Sequence, residues 1–284
     1  MPGRLGTGWS LTKQSWHVLK LDKELLLFPL ISGFTCILVL ASFAVPMWAS
    51  GFFATLTAEE GATPTERTIS YVILFLYYFA NYFVIVFFNS ALISCAIIRF
   101  KGGNPTLGDG FSAAFSRLPQ ITAWAIVAAT VGLIIKAIES RSEKLQAVLA
   151  GILGMAWSAA TYFVVPVIVV EGTGPIEAAK RSFSILRKTW GESLVANFGV
   201  GMIVFLVSLL GMIPLVAGMV LFGMGSAILA TIMLVVGVIA LTLVCLISSA
   251  LHSIIIGALY LYAAEGEIPQ QFDDELFVRA FAEK

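Results

Sequence analysis

The sequence predicts an all-α protein that lies in a lipid bilayer: a polytopic bundle of six transmembrane helices, with short amphipathic helices on the cytoplasmic side. Of its 284 residues, 59% are hydrophobic and only 12% are charged, and the mean hydropathy is +0.95. Soluble domains carry charge at about a quarter of their positions. This chain cannot cover itself with polar groups, so lipid must be its solvent.

Several charge-poor segments are long enough to cross the hydrocarbon core, which takes about 20 helical residues. The first four cover residues 25–48, 69–98, 119–138 and 145–170. A longer stretch without Asp, Glu, Lys or Arg follows Glu192 and ends at Glu265, with Gly223-Met224-Gly225 near its middle. We interpret it as two helices, which gives six spans, although its length leaves room for a third helix.

Basic residues are distributed unequally over the predicted loops. Thirteen of the 17 Lys and Arg lie on the side that holds both termini. Short basic loops stay in the cytoplasm, so both termini are predicted to be cytoplasmic. The chain is then divided into a cytoplasmic amphipathic segment (1–24), a six-span membrane domain (25–264) and a short cytoplasmic tail (265–284). The first apolar run is too long for a cleaved signal peptide, so we expect it to be retained.

The fourth predicted span carries a proline close to its cytoplasmic end. Pro166 has no N–H to offer the carbonyl of Tyr162, which predicts a kink that the hydroxyl of Thr161 could relieve. Glu171 marks the water boundary. Pro175 then suits the first position of a new helix.

Three cytoplasmic segments have the spacing of amphipathic interfacial helices. Their predicted apolar faces are Trp9, Thr12, Trp16 and Leu19; Phe111, Ala114, Phe115 and Leu118; and Ile176, Ala179, Phe183, Leu186 and Trp190. The middle helix begins with a capping box at Thr106 and Asp109. We expect these faces to contact acyl chains while neighbouring cations bind anionic headgroups. The candidate headgroup contacts are Lys13, Lys20, Arg117, Lys180, Arg181, Arg187 and Lys188.

Two of these helices resemble each other residue class by residue class. The segment SWHVLK (15–20) matches SFSILR (182–187), and AFSRLP (114–119) matches both only loosely. This similarity suggests three units, each an interfacial helix followed by a transmembrane hairpin. The alternative is that any helix beside a membrane becomes amphipathic.

Three stretches resemble an uncharacterised bacterial family of polytopic membrane proteins. They are FFNSALIS (87–94), WSAATYFVVP (157–166) and the segment from Glu171-Gly172 to Ala179-Lys180-Arg181-Ser182. The resemblance implies the bacterial cytoplasmic (inner) membrane. The last stretch also resembles the membrane domain attached to some glycerophosphodiester phosphodiesterases, although no soluble segment here has room for their catalytic domain. Neither resemblance supplies an activity.

Ionisable side chains are almost absent from the predicted spans. Lys136 lies near the outer end of the third span, where it can snorkel or pair with Glu139 or Glu143. No Asp or Glu lies at mid-membrane, which disfavours ion-coupled transport. The three Cys residues have no metal-ligand spacing, and the sequence predicts no cofactor.

Uncharged polar residues form the other candidate site, because amides and hydroxyls in lipid need partners. The set is Asn81, Asn89, Ser90, Ser94, Thr161, Ser249, His252 and Ser253. They could line a hydrated path or join helices, and His252 is better explained as a structural histidine. Cys245, Ser249, Ser253 and Gly257 also form a small-residue row suited to helix packing or to an oligomer.

The preferred hypothesis is a non-enzymatic integral membrane protein that organises lipid or partner proteins. One alternative is an oligomeric channel or passive permeation pathway, and another is an intramembrane enzyme that pairs a serine with His252. The predicted partners are membrane lipids with anionic headgroups, with a homo-oligomer left open. No nucleic-acid partner is predicted.

Overall fold

The computed structural model of the chain describes residues 4–51, 63–139, 144–188 and 190–272, and these residues are overwhelmingly α-helical. The helices are α1 (Arg4–Leu21), α2 (Leu27–Ala49), α3 (Pro64–Phe100), α4 (Leu107–Ser116), α5 (Leu118–Glu139), α6 (Lys144–Ala160), α7 (Val164–Glu171), α8 (Pro175–Lys188), α9 (Trp190–Gly223) and α10 (Ala227–Tyr260). A 3₁₀ turn (Lys23–Leu26) precedes α2, and a π-helical turn (Leu261–Glu265) follows α10. The last twelve residues of the predicted tail lie outside the described part.

Six described segments are long and apolar enough to cross a membrane, which confirms the predicted six-span helical class. They are Lys23–Ala49, Pro64–Phe100, Leu118–Glu139, Val148–Glu171, Gly201–Gly223 and Ala227–Glu265. The charge-free stretch holds two helices rather than three. They are separated at 224–226, where Gly225 adopts a positive φ of 80°.

The helices pack into two compact units. Unit 1 comprises Met1–Pro29, Ala96–Pro105 and Lys188–Lys284, and unit 2 comprises Leu30–Cys95 and Thr106–Arg187. This division follows packing rather than chain order, since its boundaries cut through α2 and α3. The topological division at residues 24 and 264 stays a prediction.

Glycines bring α9 and α10 close together within unit 1. A Cβ added to Gly237 would lie 2.5 Å from Leu215 Cγ, and one added to Gly218 would lie 3.0 Å from the carbonyl oxygen of Ala230. Such close approach is typical of helices that pack in lipid through small residues. In the predicted small-residue row, Ser253 and Gly257 are buried in the chain while Cys245 is exposed. An oligomer stays a prediction.

Aromatic contacts organise unit 2. The capping box of α4 forms as predicted, with the Thr106 hydroxyl accepting from Asp109 N at 3.2 Å. The α4 side chain Phe115 contacts Phe87 of α3 at a centroid distance of 5.0 Å. Trp124 of α5 and the α6 residue Trp157 stack at 5.6 Å with an interplanar angle of 9°.

The fourth span is interrupted, as the proline predicted, but before Pro166 rather than at it. Helix α6 ends at Ala160 and α7 begins at Val164, so Pro166 lies in the first turn of α7. First-turn N–H groups have no intrahelical acceptor, so a proline there costs no hydrogen bond. Thr161 Oγ1 donates to the carbonyl of Trp157 at 2.8 Å, which also accepts from Thr161 N at 2.9 Å, rather than to the carbonyl of Tyr162.

Spans two, four and six end in the same way. Each is followed by a glycine with positive φ: Gly102 (82°), Gly172 (67°) and Gly266 (73°). Each glycine is followed three residues later by a proline: Pro105, Pro175 and Pro269. The left-handed conformation ends a helix and favours glycine, and proline resists continuation of the helix. This repeated ending supports the three-unit interpretation. Of the three prolines, only Pro175 was predicted to begin a new helix.

Gly172→Ala should destabilise the protein, because its φ is left-handed and its Cβ would lie 2.5 Å from Arg117 Nη1. The left-handed conformation alone costs a non-glycine residue about 1–2 kcal/mol. Gly154→Ala is the matched control, since nothing lies within 4 Å of its added Cβ. Thermal unfolding in detergent should show a lower Tm for Gly172→Ala only. Equal Tm values for the two variants would contradict the role given to Gly172.

Candidate functional site

A stripe of alternating apolar and basic side chains lies exposed along α8. It consists of Ile176, Lys180, Phe183 and Arg187, and is called the α8 stripe. Ile176 is 68% exposed and Phe183 is 52% exposed, and both cations are exposed as well. The spacing i, i+4, i+7, i+11 places the four residues on one helix face.

Helix α1 carries a stripe of the same kind. The α1 stripe consists of Trp9, Lys13, Trp16 and Lys20, which occupy the corresponding positions when the matching segments are aligned. Trp9 is 60% exposed and Trp16 is 37% exposed. Lys20 Nζ lies 5.6 Å from the centroid of the Trp16 ring, within the range of a cation–π interaction. In α4, Phe115 is exposed, but no cation occupies the corresponding positions.

The buried faces of α1 and α8 also correspond. The buried pairs are Ser15 and Ser182, Val18 and Ile185, and Leu19 and Leu186. The predicted apolar faces were therefore partly wrong: Thr12, Leu19 and Leu186 are buried in the protein rather than exposed. Each helix divides its apolar side chains between a protein-facing side and the exposed stripe. The side chain of Trp190 lies outside the described residues.

Two contacts attach α8 to α7 within unit 2. The buried Ser182 Oγ accepts a hydrogen bond from Phe163 N at 2.9 Å, which satisfies an N–H in the turn that interrupts the fourth span. At the other end of α7, Arg181 Nε donates to Glu171 Oε1 at 2.9 Å. Sequence reasoning missed Ser182. Its signal was its position four residues after Ala178 on the face opposite the aromatic side chains.

Two further side chains bind carbonyls at the C-terminal end of α7. Arg117 Nε donates to the Val169 carbonyl at 3.2 Å, and Gln120 Nε2 donates to the Gly172 carbonyl at 3.3 Å. A cation at a helix C-terminus is favourable because the last carbonyls carry partial negative charge. Arg117 and Arg181, both predicted headgroup contacts, thus make hydrogen bonds inside the protein.

The remaining predicted headgroup contacts make no such bonds. Lys13, Lys20, Lys180, Arg187 and Lys188 are exposed, and none forms an ion pair among the residues that the structure describes. Helix α1 contains no Asp or Glu. Uncompensated cations therefore concentrate on α1 and α8, the two helices that carry the stripes.

A cluster of polar side chains, Asp22, Arg99 and Gln271, lies at the end of α3 within unit 1. Arg99 donates from Nε and Nη2 to the two carboxylate oxygens of Asp22, both at 2.5 Å. Gln271 Nε2 donates to the Arg99 carbonyl at 2.8 Å. These contacts join the residue that follows α1 to the segment that follows α10.

Lys101 lies beside this polar cluster and is paired with two carboxylates. Its Nζ is 3.0 Å from Glu265 Oε2 and 3.7 Å from Glu267 Oε2. The hydrogen bond to Glu265 raises the pKa of Lys101, so the ammonium stays charged at neutral pH and this contribution is lost as the pH rises through that elevated pKa. An open cavity of about 440 Å³ adjoins it, lined in part by Phe100, Lys101 and Glu267. Since Lys101 is already matched by carboxylates, the cavity offers no uncompensated cation.

The predicted polar set is divided between the units. Asn81, Asn89, Ser90, Ser94 and Thr161 belong to unit 2, and Ser249, His252 and Ser253 belong to unit 1. Asn81 Nδ2 donates to the Tyr77 carbonyl at 2.9 Å, and Ser94 Oγ donates to the Ser90 carbonyl at 2.7 Å. Like Thr161, both side chains donate to the backbone carbonyl four residues earlier in the chain.

The other members of the set differ in environment. Ser90 Oγ is buried without a hydrogen-bond partner, and Asn89 makes no side-chain hydrogen bond among the described residues. Ser253 is buried, Ser249 is partly buried and His252 is exposed. No group of three His, Cys, Asp or Glu side chains that could hold a metal occurs in the described part of the chain.

Comparison with known proteins identifies the family of this chain. The model of a family of unknown function (DUF6159) matches residues 68–270, which is most of the chain. The chain belongs to this family. This match confirms the predicted resemblance to an uncharacterised family. The match begins within α3, so it includes the α8 stripe and leaves out the α1 stripe.

No curated protein matches the chain. The second resemblance, to the membrane domain attached to some glycerophosphodiester phosphodiesterases, stays a prediction. The family match carries no activity, so a function must be argued from the stripes.

Ser182→Ala should destabilise the protein, because it leaves the buried Phe163 N–H without an acceptor, at a cost of about 1–3 kcal/mol. Ser15→Ala is the matched control at the corresponding buried position, where Oγ has no hydrogen-bond partner among the described residues. It should be neutral or slightly stabilising. The measurement is reversible unfolding in mixed micelles, and equal losses in the two variants would contradict the anchoring role of Ser182.

Proposed function

We propose that this protein is a non-enzymatic membrane protein that binds anionic phospholipids through the α1 and α8 stripes and so organises lipid around itself. The observation that carries the proposal is the duplicated pattern: two helices each expose two uncompensated cations that alternate with apolar side chains at the same spacing. Neighbouring cations that form hydrogen bonds within the protein, such as Arg181, do not belong to the stripes.

The two kinds of side chain in each stripe suit two layers of the membrane interface. Exposed Trp and Phe rings are favourable at the level of the glycerol and upper acyl chains. Lys and Arg beside them extend their charged ends toward the phosphates while their alkyl stems stay in apolar surroundings. If the stripes faced only water, the exposed surfaces of Trp9, Ile176 and Phe183 would have no apolar contact.

The permeation alternative has less support. Its best observation is the pair Asn89 and Ser90 on α3, whose side chains lack hydrogen bonds among the described residues. Against it, Asn81, Ser94 and Thr161 donate to carbonyls of their own helices. Polar groups satisfied in this way do not require a hydrated path.

The proposal places both stripes on the cytoplasmic face, with both termini in the cytoplasm of a bacterial inner membrane. Its support is the excess of Lys and Arg on that side. In a variant without the native cysteines, Lys20→Cys and Lys188→Cys should both react with an impermeant maleimide only after the cytoplasmic face is opened. Labelling of the two positions from opposite sides would overturn this orientation.

The binding proposal is tested by removing one stripe cation from each helix. Lys13→Gln/Lys180→Gln should lower the preference for phosphatidylglycerol over phosphatidylethanolamine by about fivefold for each cation, because a cation near an anionic surface contributes about 1 kcal/mol. The preference is measured by counting retained lipids in native mass spectrometry after release from mixed-lipid nanodiscs.

The matched control is Lys23→Gln/Lys188→Gln. It removes two exposed cations from the ends of the same segments, but neither belongs to a stripe. This control should keep most of the preference. Equal losses in both double variants would show that the lipid preference depends on net charge and not on the stripes. No loss in either variant would refute the proposed function.

A further inference from the structure

The two cations of each stripe are separated by the same distance along the chain. Lys13 and Lys20 are seven residues apart, and so are Lys180 and Arg187. Seven residues make about two helical turns and a rise of about 10 Å. An aromatic side chain, Trp16 or Phe183, occupies the turn between the two cations on the same face.

We propose that each stripe binds one diphosphatidyl lipid, whose two phosphodiester groups are joined by a glycerol bridge, with one phosphate on each cation. This inference rests on the proposed function and names the ligand of the same stripes. A ligand with two linked phosphates makes its second contact intramolecularly, which raises its retention above that of two separate lipids. The ring between the cations then lies against the glycerol bridge and upper acyl chains.

The surroundings of the α8 stripe favour a defined spacing of its cations. Ser182 and Arg181 attach α8 to both ends of α7, so Lys180 and Arg187 are carried by a fixed helix. Binding to groups held in place loses less conformational entropy than binding to mobile ones. Glu177, the carboxylate of α8, lies off the stripe face, as does Lys188.

The duplication of this spacing is the second argument. The α1 stripe belongs to unit 1 and the α8 stripe belongs to unit 2. Their sequences differ at three of the four stripe positions, since only the first cation is Lys in both. The apolar, basic, aromatic, basic order is nevertheless the same. A requirement for positive charge alone would not fix either the separation or the intervening ring.

The test moves a cation without changing the net charge. Lys180→Gln/Ser184→Lys shortens the separation from Arg187 to three residues at an exposed position of α8. Lys13→Gln/His17→Lys makes the equivalent change in α1. Full-length protein is released from nanodiscs that contain either cardiolipin or phosphatidylglycerol at equal phosphate, and bound lipids are counted by native mass spectrometry.

The wild type should retain two cardiolipin molecules, each single-stripe variant one, and the combined variant none beyond the phosphatidylglycerol level. All four proteins should still prefer phosphatidylglycerol to phosphatidylethanolamine, because Lys20 and Arg187 remain in every variant, although the preference is weaker wherever Lys13 or Lys180 is replaced. If the combined variant retains cardiolipin like the wild type, the two-phosphate inference is overturned while the proposed function stands. If no protein prefers any anionic lipid, the proposed function itself fails. Unfolding measurements on each variant verify that the fold is intact.

Discussion

Every backbone N–H and C=O inside the hydrocarbon needs a partner from the protein itself, because no water is present to supply one. Helices meet this requirement along most of the six spans. In the fourth span the helix is interrupted before Pro166, and the chain turns at 161–163. The Phe163 N–H is then satisfied by a side chain from another helix, Ser182 of α8. A constraint on the backbone therefore decides where α8 is attached.

That attachment determines which side chains of α8 are exposed. With Ser182 facing α7, rotation by 100° per residue leaves Phe183 and the stripe cations on the exposed side. Arg181, the next residue toward the N-terminus, instead reaches Glu171. Neighbouring basic residues thus differ in their contacts: Arg181 pairs with Glu171, and Lys180 is exposed without an ion pair among the described residues. Composition alone assigns them the same role.

The spans were predictable because a bilayer imposes length and apolarity on any helix that crosses it, and those properties are local in sequence. The existence of α1, α4 and α8 was predictable because the helical spacing of their apolar side chains is also local in sequence. Their faces were not, since hydropathy does not distinguish an apolar side chain that contacts protein from one that contacts lipid. Leu186 and Phe183 look alike on a hydropathy scale, yet one is buried and the other exposed. The hydrogen-bond partners of Ser182 and Arg117 are set by tertiary contacts that the spacing of residues along a helix does not identify, whereas the repeated Gly-x-x-Pro endings were visible in the sequence.

The stacked indoles of Trp124 and Trp157 give the protein an optical signal of its own. Two rings whose centroids lie 5.6 Å apart, with planes 9° from parallel, are close enough for their electronic transitions to couple. Such coupling gives a paired positive and negative band in ultraviolet circular dichroism that disappears when the rings separate. The packing of α5 on α6 can therefore be followed in lipid or detergent without attaching a dye.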